Sequence, residues 1–391
     1  MGQDLLPDDL VLSQIFPEAK PASIDILANN WDICTFKAHF DTKTPPELPL
    51  DLVVRMETST GHLEAVTAFQ NLARTQIPKL VPHIFSSGKA STANGLNVEY
   101  TVTEFIADAL TLESIWPSLP RPQQRTLMDA IVEALAKLQQ PHVRDNAAAL
   151  IASLPQQVDK IIGGPHHGYH NDMQGLLTHF VAKHQTKNKA TSSITPTQDG
   201  LVIASTQPDL PAIHLTRADL AALNSSAVLC HNDLEPRNVL VRHHPGSNTY
   251  LLAAIIDWEF SAIAPFAFES ALKDTALGAA NLHYDWYRLY KHKTRRFIPD
   301  GEAARKLVGA VRMVVEAQRR GWTRNVGAEF RRRWMSREGV EMGENGWVKG
   351  QGGGEWVYEK RRDEELEMEI LREWGSRSED LGRAAWGCYV L

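Results

Sequence analysis

Cysteine is scarce: Cys34, Cys230 and Cys388 are the only three in 391 residues, they lie far apart, and an odd number cannot all pair. That excludes a small disulfide-stapled scaffold and fits a reducing compartment. A basic surplus is missing too. Against 41 Lys and Arg stand 47 Asp and Glu, a formal charge of -6, which argues against a general nucleic-acid binder. The run Arg331-Arg332-Arg333 is then expected to be a local, solvated helix face. No apolar run is long enough to span a bilayer, and the acidic start, residues 1–9, lacks the basic and apolar zones of a signal peptide. Internal repeats are absent. The expectation is a cytoplasmic protein without a nucleic-acid or membrane partner, and nothing points to a protein partner.

What is present reads as ordinary globular material, 43% hydrophobic and long enough for two lobes. Residues 1–28 are expected to be a leader of one or two short helices. Residues 32–40 alternate apolar and polar side chains as a half-buried strand does, and residues 50–56 read as a buried strand. Leu63, Val66, Phe69 and Leu72 recur at helical spacing over residues 62–75. Residues 81–85 and 98–105 complete a sheet around the turn Ala93-Asn94-Gly95. From Arg121 onward the pattern becomes helical, with Leu127, Ile131, Leu135 and Leu138 on one face and, later, Leu307, Val311, Val314 and Val315 on another. This is an α+β chain: a small sheet lobe at 29–110, a large helical lobe at 111–340 and a charged extension at 341–391.

One stretch organises the rest. Val228-Leu229-Cys230 delivers the polar loop His231-Asn232-Asp233-Leu234-Glu235-Pro236-Arg237-Asn238, and Val239-Leu240-Val241 leaves it, within residues 229–241. A second apolar run, Leu251 to Ile256, ends in Asp257-Trp258-Glu259, within residues 251–260. Two strands thus present His231, Asp233, Asn238 and Asp257 at neighbouring ends. Asp and Asn in turns often only cap nearby backbone. Here the amide follows the first carboxylate by five positions and a second carboxylate ends the next strand. That set suits phosphoryl transfer, which needs a base for the acceptor hydroxyl and oxygen ligands for magnesium. Asp233 is the expected base, His231 the brace of the loop, and Asn238 and Asp257 the metal ligands.

With His-x-Asp-x-x-x-x-Asn at 231–238 and Ile-Asp-Trp-Glu at 256–259, the sequence resembles the aminoglycoside phosphotransferase and choline kinase branch of the protein kinase-like superfamily, and most of all its fungal aminoglycoside-phosphotransferase-like members. The resemblance implies a bilobal fold with ATP and Mg2+ in the cleft and a small hydroxylated acceptor. It puts Arg55 at the place of a phosphate-pairing lysine, where a guanidinium can still hold phosphate oxygens. It offers Glu64 as the partner of Arg55, although a strand-end arginine in solvent and an acidic residue at a helix start are the plainer alternatives. Glu104 and Ile106 fall where the lobes join and backbone groups would take the adenine edge. A glycine-rich turn over the phosphates is missing, since residues 28–32 hold no glycine. That absence and Arg55 support the rival reading, an inactive scaffold or nucleotide-sensing module. Within the enzyme class, the alternative is choline or ethanolamine kinase-like activity, to which His231-Asn232-Asp233 is similar.

Other features are expected to be structural. Residues 163–172 gather three histidines and Asp172 but are diluted by glycine, so a structural or substrate-lining loop is favoured over a transition-metal site. Residues 183–211 read as an exposed, mobile insertion. Thr216 and Asp219 fit an N-cap and its N3 partner. The aromatics at 283–290 either fill a core or offer an acceptor wall through cation–π attraction. The extension, glycine-punctuated and then highly charged, is expected to be an appended, partly mobile helix without a catalytic part.

Overall fold

Alternating burial builds the first lobe. In the computed structural model, which describes residues 4–42, 48–58, 60–140, 142, 143, 145, 146, 149, 161–187, 189–350 and 358–375, five antiparallel strands form one sheet. They are β1 (Ser23–Asn29), β2 (Ile33–His39), β3 (Asp51–Thr58), β4 (Ile84–Ser91) and β5 (Asn97–Glu104), in the order β1-β2-β3-β5-β4. Cys34, Phe36, Ala38, Leu52, Val54 and Met56 point to one face and pack with Val11, Leu12 and Ile15 of helix α1 (Asp9–Ile15). Asp8 caps that helix, its carboxylate accepting the Val11 N–H at 2.9 Å. The period of two sends Val53, Arg55 and Glu57 to the other face. Helix α2 (His62–Gln76) follows β3 and turns Phe69, Leu72 and Ala73 into the core of the large lobe.

The sheet begins earlier than the sequence suggests. The stretch read as a leader holds one helix and then β1, which pairs with β2 from Ser23 opposite His39 to Asn29 opposite Cys34. As an edge strand it has one neighbour and stays largely exposed, so it carries no strong burial pattern.

Residues 105–108 cross to the second lobe. The strand Ala109–Thr111 then pairs with Val239–His244, the strand that leaves the organising loop, and Arg242 donates to the Ala107 carbonyl from Nε at 3.2 Å and Nη2 at 3.0 Å. Helices Arg121–Leu138, Phe266–Ala276 and Glu302–Gly321 supply Leu127, Ile131, Leu135, Phe266, Phe268, Leu307 and Val311 to one large core.

Two further expectations give way, the exposed insertion at 183–211 and the solvated Arg331. Within 183–211 lie Ser192–Thr197 and Gly200–Ser205, which join Ile213–Thr216 in a three-stranded antiparallel sheet, and Leu201, Ile203 and Leu215 are buried. Threonine and serine there read as loop composition, yet threonine fits a pleated surface well. The next helix, Arg217–Ser225, is capped as expected: Thr216 Oγ1 accepts the Asp219 N–H at 3.1 Å and the Asp219 carboxylate accepts the Thr216 N–H at 2.9 Å.

The extension is docked. The hairpin Val340–Gly343 and Gly346–Lys349 and the helix Lys360–Gly375 pack on the helix Val326–Arg337, burying Leu366 and Ile370 with Phe330 and Trp334. Trp347 Nε1–H donates to the Asp274 carbonyl at 2.7 Å. Arg331 is buried rather than solvated, donating to the Leu277 carbonyl at 3.0 Å beneath the Trp347 ring. Residues 351–357 and 376–391, with Cys388, lie outside the described residues. No helix among the described residues is long and apolar enough to cross a membrane.

Candidate active site

The strand Ala227–Cys230 pairs with Ala262–Pro265 and releases the chain into the polar loop. His231 is fully buried. Its backbone N–H donates to Glu269 Oε2 at 2.9 Å and its Nε2–H to the Ile256 carbonyl at 3.0 Å, which leaves Nδ1 to accept the Asp233 N–H at 3.3 Å. Burial holds the ring below its ordinary titration range, so it braces the loop as a neutral group. Asn232 takes the left-handed conformation at φ 64 and donates through Nδ2 to the Phe260 carbonyl at 2.9 Å. Glu235 is buried as well, between Lys273 Nζ at 2.8 Å and Asn281 Nδ2 at 2.8 Å, and burial pushes its carboxyl up against the pull of Lys273. The loop is thereby pinned to the helix Phe266–Ala276.

Asp233 is held from two sides. Arg237 Nη2 donates to both of its carboxylate oxygens, each at 2.8 Å, and Asn238 Nδ2 donates to Oδ2 at 2.8 Å and to the Asp233 carbonyl at 2.8 Å. With Nδ2 occupied in this way, Asn238 has its Oδ1 left as an oxygen ligand.

Asp257 sits beside them, because Val239–His244 pairs with Thr249–Ile255 and the Ile256 N–H donates to the Asn238 carbonyl at 3.0 Å. Its backbone is left-handed, at φ 64 and ψ 67. Burial, and after it the negative charge of Glu259, push the Asp257 carboxyl up to about 7. Arg55 reaches across from the first lobe: Nη1 lies 3.4 Å from Asp257 Oδ1, Nη2 pairs with Glu259, and Nε donates to Glu57 Oε1 at 2.8 Å. Burial works against the guanidinium charge, but Glu259, Glu57 and Asp257 outweigh it and hold Arg55 above its ordinary value.

Five of the expected residues, Arg55, His231, Asp233, Asn238 and Asp257, therefore converge. Glu64 does not join them: it is exposed in the first turn of α2, and among the described contacts it makes none with Arg55. Glu104 is exposed at the end of β5, accepting the His83 N–H at 3.2 Å, and Ile106 is half-buried in the link. At the tip between β1 and β2, where glycine was expected and absent, Asn30 Oδ1 accepts the N–H groups of Asp32 at 2.9 Å and Ile33 at 2.8 Å. A turn is made there by an asparagine side chain instead.

The histidine stretch is a short hairpin, Ile162–Gly164 with Gly168–His170, after which Asp172 caps the helix Met173–Lys183. Among the described residues no three His, Cys, Asp or Glu converge as a metal cage. The aromatics Tyr284, Trp286, Tyr287 and Tyr290 are buried, with the Tyr287 hydroxyl on Asp274 and the Tyr290 hydroxyl on Glu269, so they serve the core. A concavity of about 720 Å³ between Arg121–Leu138 and Tyr284–Thr294, lined by Arg121, Arg125, Arg288 and His292 among others, contains none of the residues 231–238.

Sequence reasoning missed Arg237 and Glu57. Both carried a signal: Arg237 lies inside the loop motif four positions from Asp233, and Glu57 follows Arg55 by two, hence on the same strand face.

Residues 51–272 match the model of the phosphotransferase enzyme family. Among solved structures, a thermostable mutant of the aminoglycoside phosphotransferase APH(4)-Ia in its apo form is 13% identical, with 94% of this chain and 99% of that chain covered and a TM-score of 0.44. A GDP complex of a mutant aminoglycoside 2'-phosphotransferase is also 13% identical, covering 94% and 98%, with a TM-score of 0.39. No curated protein matches the chain.

Proposed function

This chain belongs to the phosphotransferase enzyme family, and from that premise we propose that it is an ATP-dependent O-phosphotransferase acting on a small hydroxylated molecule. The observation that carries the reading is the state of Asp233. A carboxylate offers about four acceptor positions. Arg237 takes two and Asn238 one, which fixes the orientation of the group and leaves a position for the hydroxyl of an acceptor. Asp233 would orient that hydroxyl and take its proton as the phosphoryl group arrives.

The donor set fits magnesium in its usual protein environment, where one or two side-chain oxygens are completed by water and substrate phosphates. Asn238 Oδ1 and the Asp257 carboxylate would hold it, and the excess negative charge at Asp257 and Glu259 favours a cation there. Bound in that place, Mg2+ supplies charge neutralisation for the phosphates. Arg55 would hold phosphate oxygens with its terminal nitrogens, and the backbone of Glu104 to Ile106 would take the adenine edge.

Phosphorus NMR of ATP consumption, run against choline, ethanolamine, sugars and aminoglycosides, tests this. The expected result is a new phosphate ester with at least one acceptor, lost in Asp233→Asn while nucleotide binding persists. Full turnover by Asp233→Asn contradicts the base assignment. The turn closed by Asn30 without glycine favours the second reading, a nucleotide-binding module, and ATP uptake without transfer to any acceptor would establish it.

A further inference from the structure

We infer that Glu57, and not Glu64, is the positioning residue for Arg55, gripping the guanidinium at Nε so that its terminal nitrogens are turned into the cleft, where each meets a carboxylate and keeps a second N–H for phosphate oxygens. The inference rests on Arg55 as the phosphate-holding group proposed above.

Arginine makes this arrangement possible. Its guanidinium carries five N–H donors in a fixed fork, whereas lysine offers a single nitrogen that must serve both partner and phosphate. In this chain Nε–H goes to Glu57 Oε1 at 2.8 Å, and the two terminal nitrogens face Asp257 and Glu259. Strand geometry supplies the partner, because residues two apart share a face and Glu57 is two beyond Arg55 on β3. A partner on the helix is then superfluous, which agrees with the exposure of Glu64.

Glu57 is itself held in place. It is 6% exposed, and its second oxygen lies 3.0 Å from His62 Nδ1 at the start of α2. Directly opposite on β5 stands Glu99, 3% exposed, which accepts the Gly61 N–H at 2.6 Å and the Leu63 N–H at 3.2 Å. Two buried carboxylates side by side repel, so each needs its own positive counterpart. Glu99 has the N-terminus of α2. Glu57 has Arg55, with His62 as a further hydrogen-bond partner. Rotating Glu57 away from Arg55 would leave a buried carboxylate short of charge, so its contacts to Arg55 and to the start of α2 hold it in place.

The test is a double-mutant cycle on Mg-ATP affinity by titration calorimetry, with Glu57→Gln, Arg55→Ala, the double variant and Glu64→Gln. Glu57→Gln, which keeps shape and removes charge, is expected to weaken binding about tenfold. It should add nothing in the Arg55→Ala background, because a residue acting through Arg55 has no effect without it. Glu64→Gln should match wild type. Independent, additive losses, or an equal loss in Glu64→Gln, overturn the inference. A second readout needs no nucleotide: hydrogen exchange at the Arg55 Nε–H, followed by NMR, is expected to be slow in wild type and Glu64→Gln and fast in Glu57→Ala, which removes the acceptor oxygen. Slow exchange retained in Glu57→Ala overturns the inference whether or not ATP binds. Absence of Mg-ATP uptake by wild type would instead strike the proposed function, and the exchange experiment would still decide the role of Glu57.

Discussion

At Asp257 the backbone enters the left-handed region, which an aspartate tolerates only where its surroundings fix it, and such strain gathers at functional positions. Its carboxyl, pushed up to about 7 by burial and by Glu259, is protonated over much of the acidic range. Metal binding requires the ionised form. Mg-nucleotide affinity is therefore expected to rise as pH increases through about 7 and to level off above it. Calorimetry across roughly pH 5.5 to 8.5 checks this, and Asp257→Asn should remove the dependence. An affinity flat with pH in wild type would contradict the role of Asp257. At the same scale, the meeting of Asp233, Asn238 and Asp257 was legible because their spacing from two apolar runs puts them at neighbouring strand ends. Arg237 and Glu57 were harder to see, since a charged residue beside a site looks like any solvated charge until its partner is known. The partner of Arg55 stays open in the sequence between Glu64 and no partner at all, because the pleat of β3 that brings Glu57 beside Arg55 is not taken into account there.

Among the elements, those with a full amphipathic period were readable, and those whose burial depends on distant partners were not. Helix α2 and Arg121–Leu138 show apolar faces that need only their own sequence to recognise. The sheet formed by Ser192–Thr197, Gly200–Ser205 and Ile213–Thr216 hides its core contribution in Leu201, Ile203 and Leu215, three residues among many polar ones. The terminal helix Lys360–Gly375 is similar, because its charge dominates the sequence while Leu366 and Ile370 do the packing. Ile370 is fully buried. Ile370→Ala should therefore lower the unfolding free energy by about 2–4 kcal/mol, read from urea denaturation. A change near zero would show that the helix does not dock as described.

For the molecule as a whole, Arg55 joins the lobes by meeting Asp257 and Glu259 from the opposite side of the cleft. Several buried histidines resist protonation. Burial lowers His184 and His283 from 6.5 to about 4, and His167 well below its ordinary value. Between those limits the unfolded chain binds protons that the native histidines refuse, so their contribution to stability is present above about 6.5 and is lost as pH falls toward 4. Thermal unfolding is expected to shift downward across that window, and His283→Gln should soften the shift. A shift as large in His283→Gln as in wild type would contradict a buried neutral His283. The central claim is that residues from both lobes and two strand ends make one site for a metal-bound nucleotide. Titration calorimetry of ATP with and without magnesium, on wild type and Asp257→Ala above neutral pH, tests it most directly. The account predicts binding that magnesium strengthens in wild type and no longer strengthens in Asp257→Ala. ATP affinity indifferent to magnesium in wild type, or unchanged by the substitution, would contradict it.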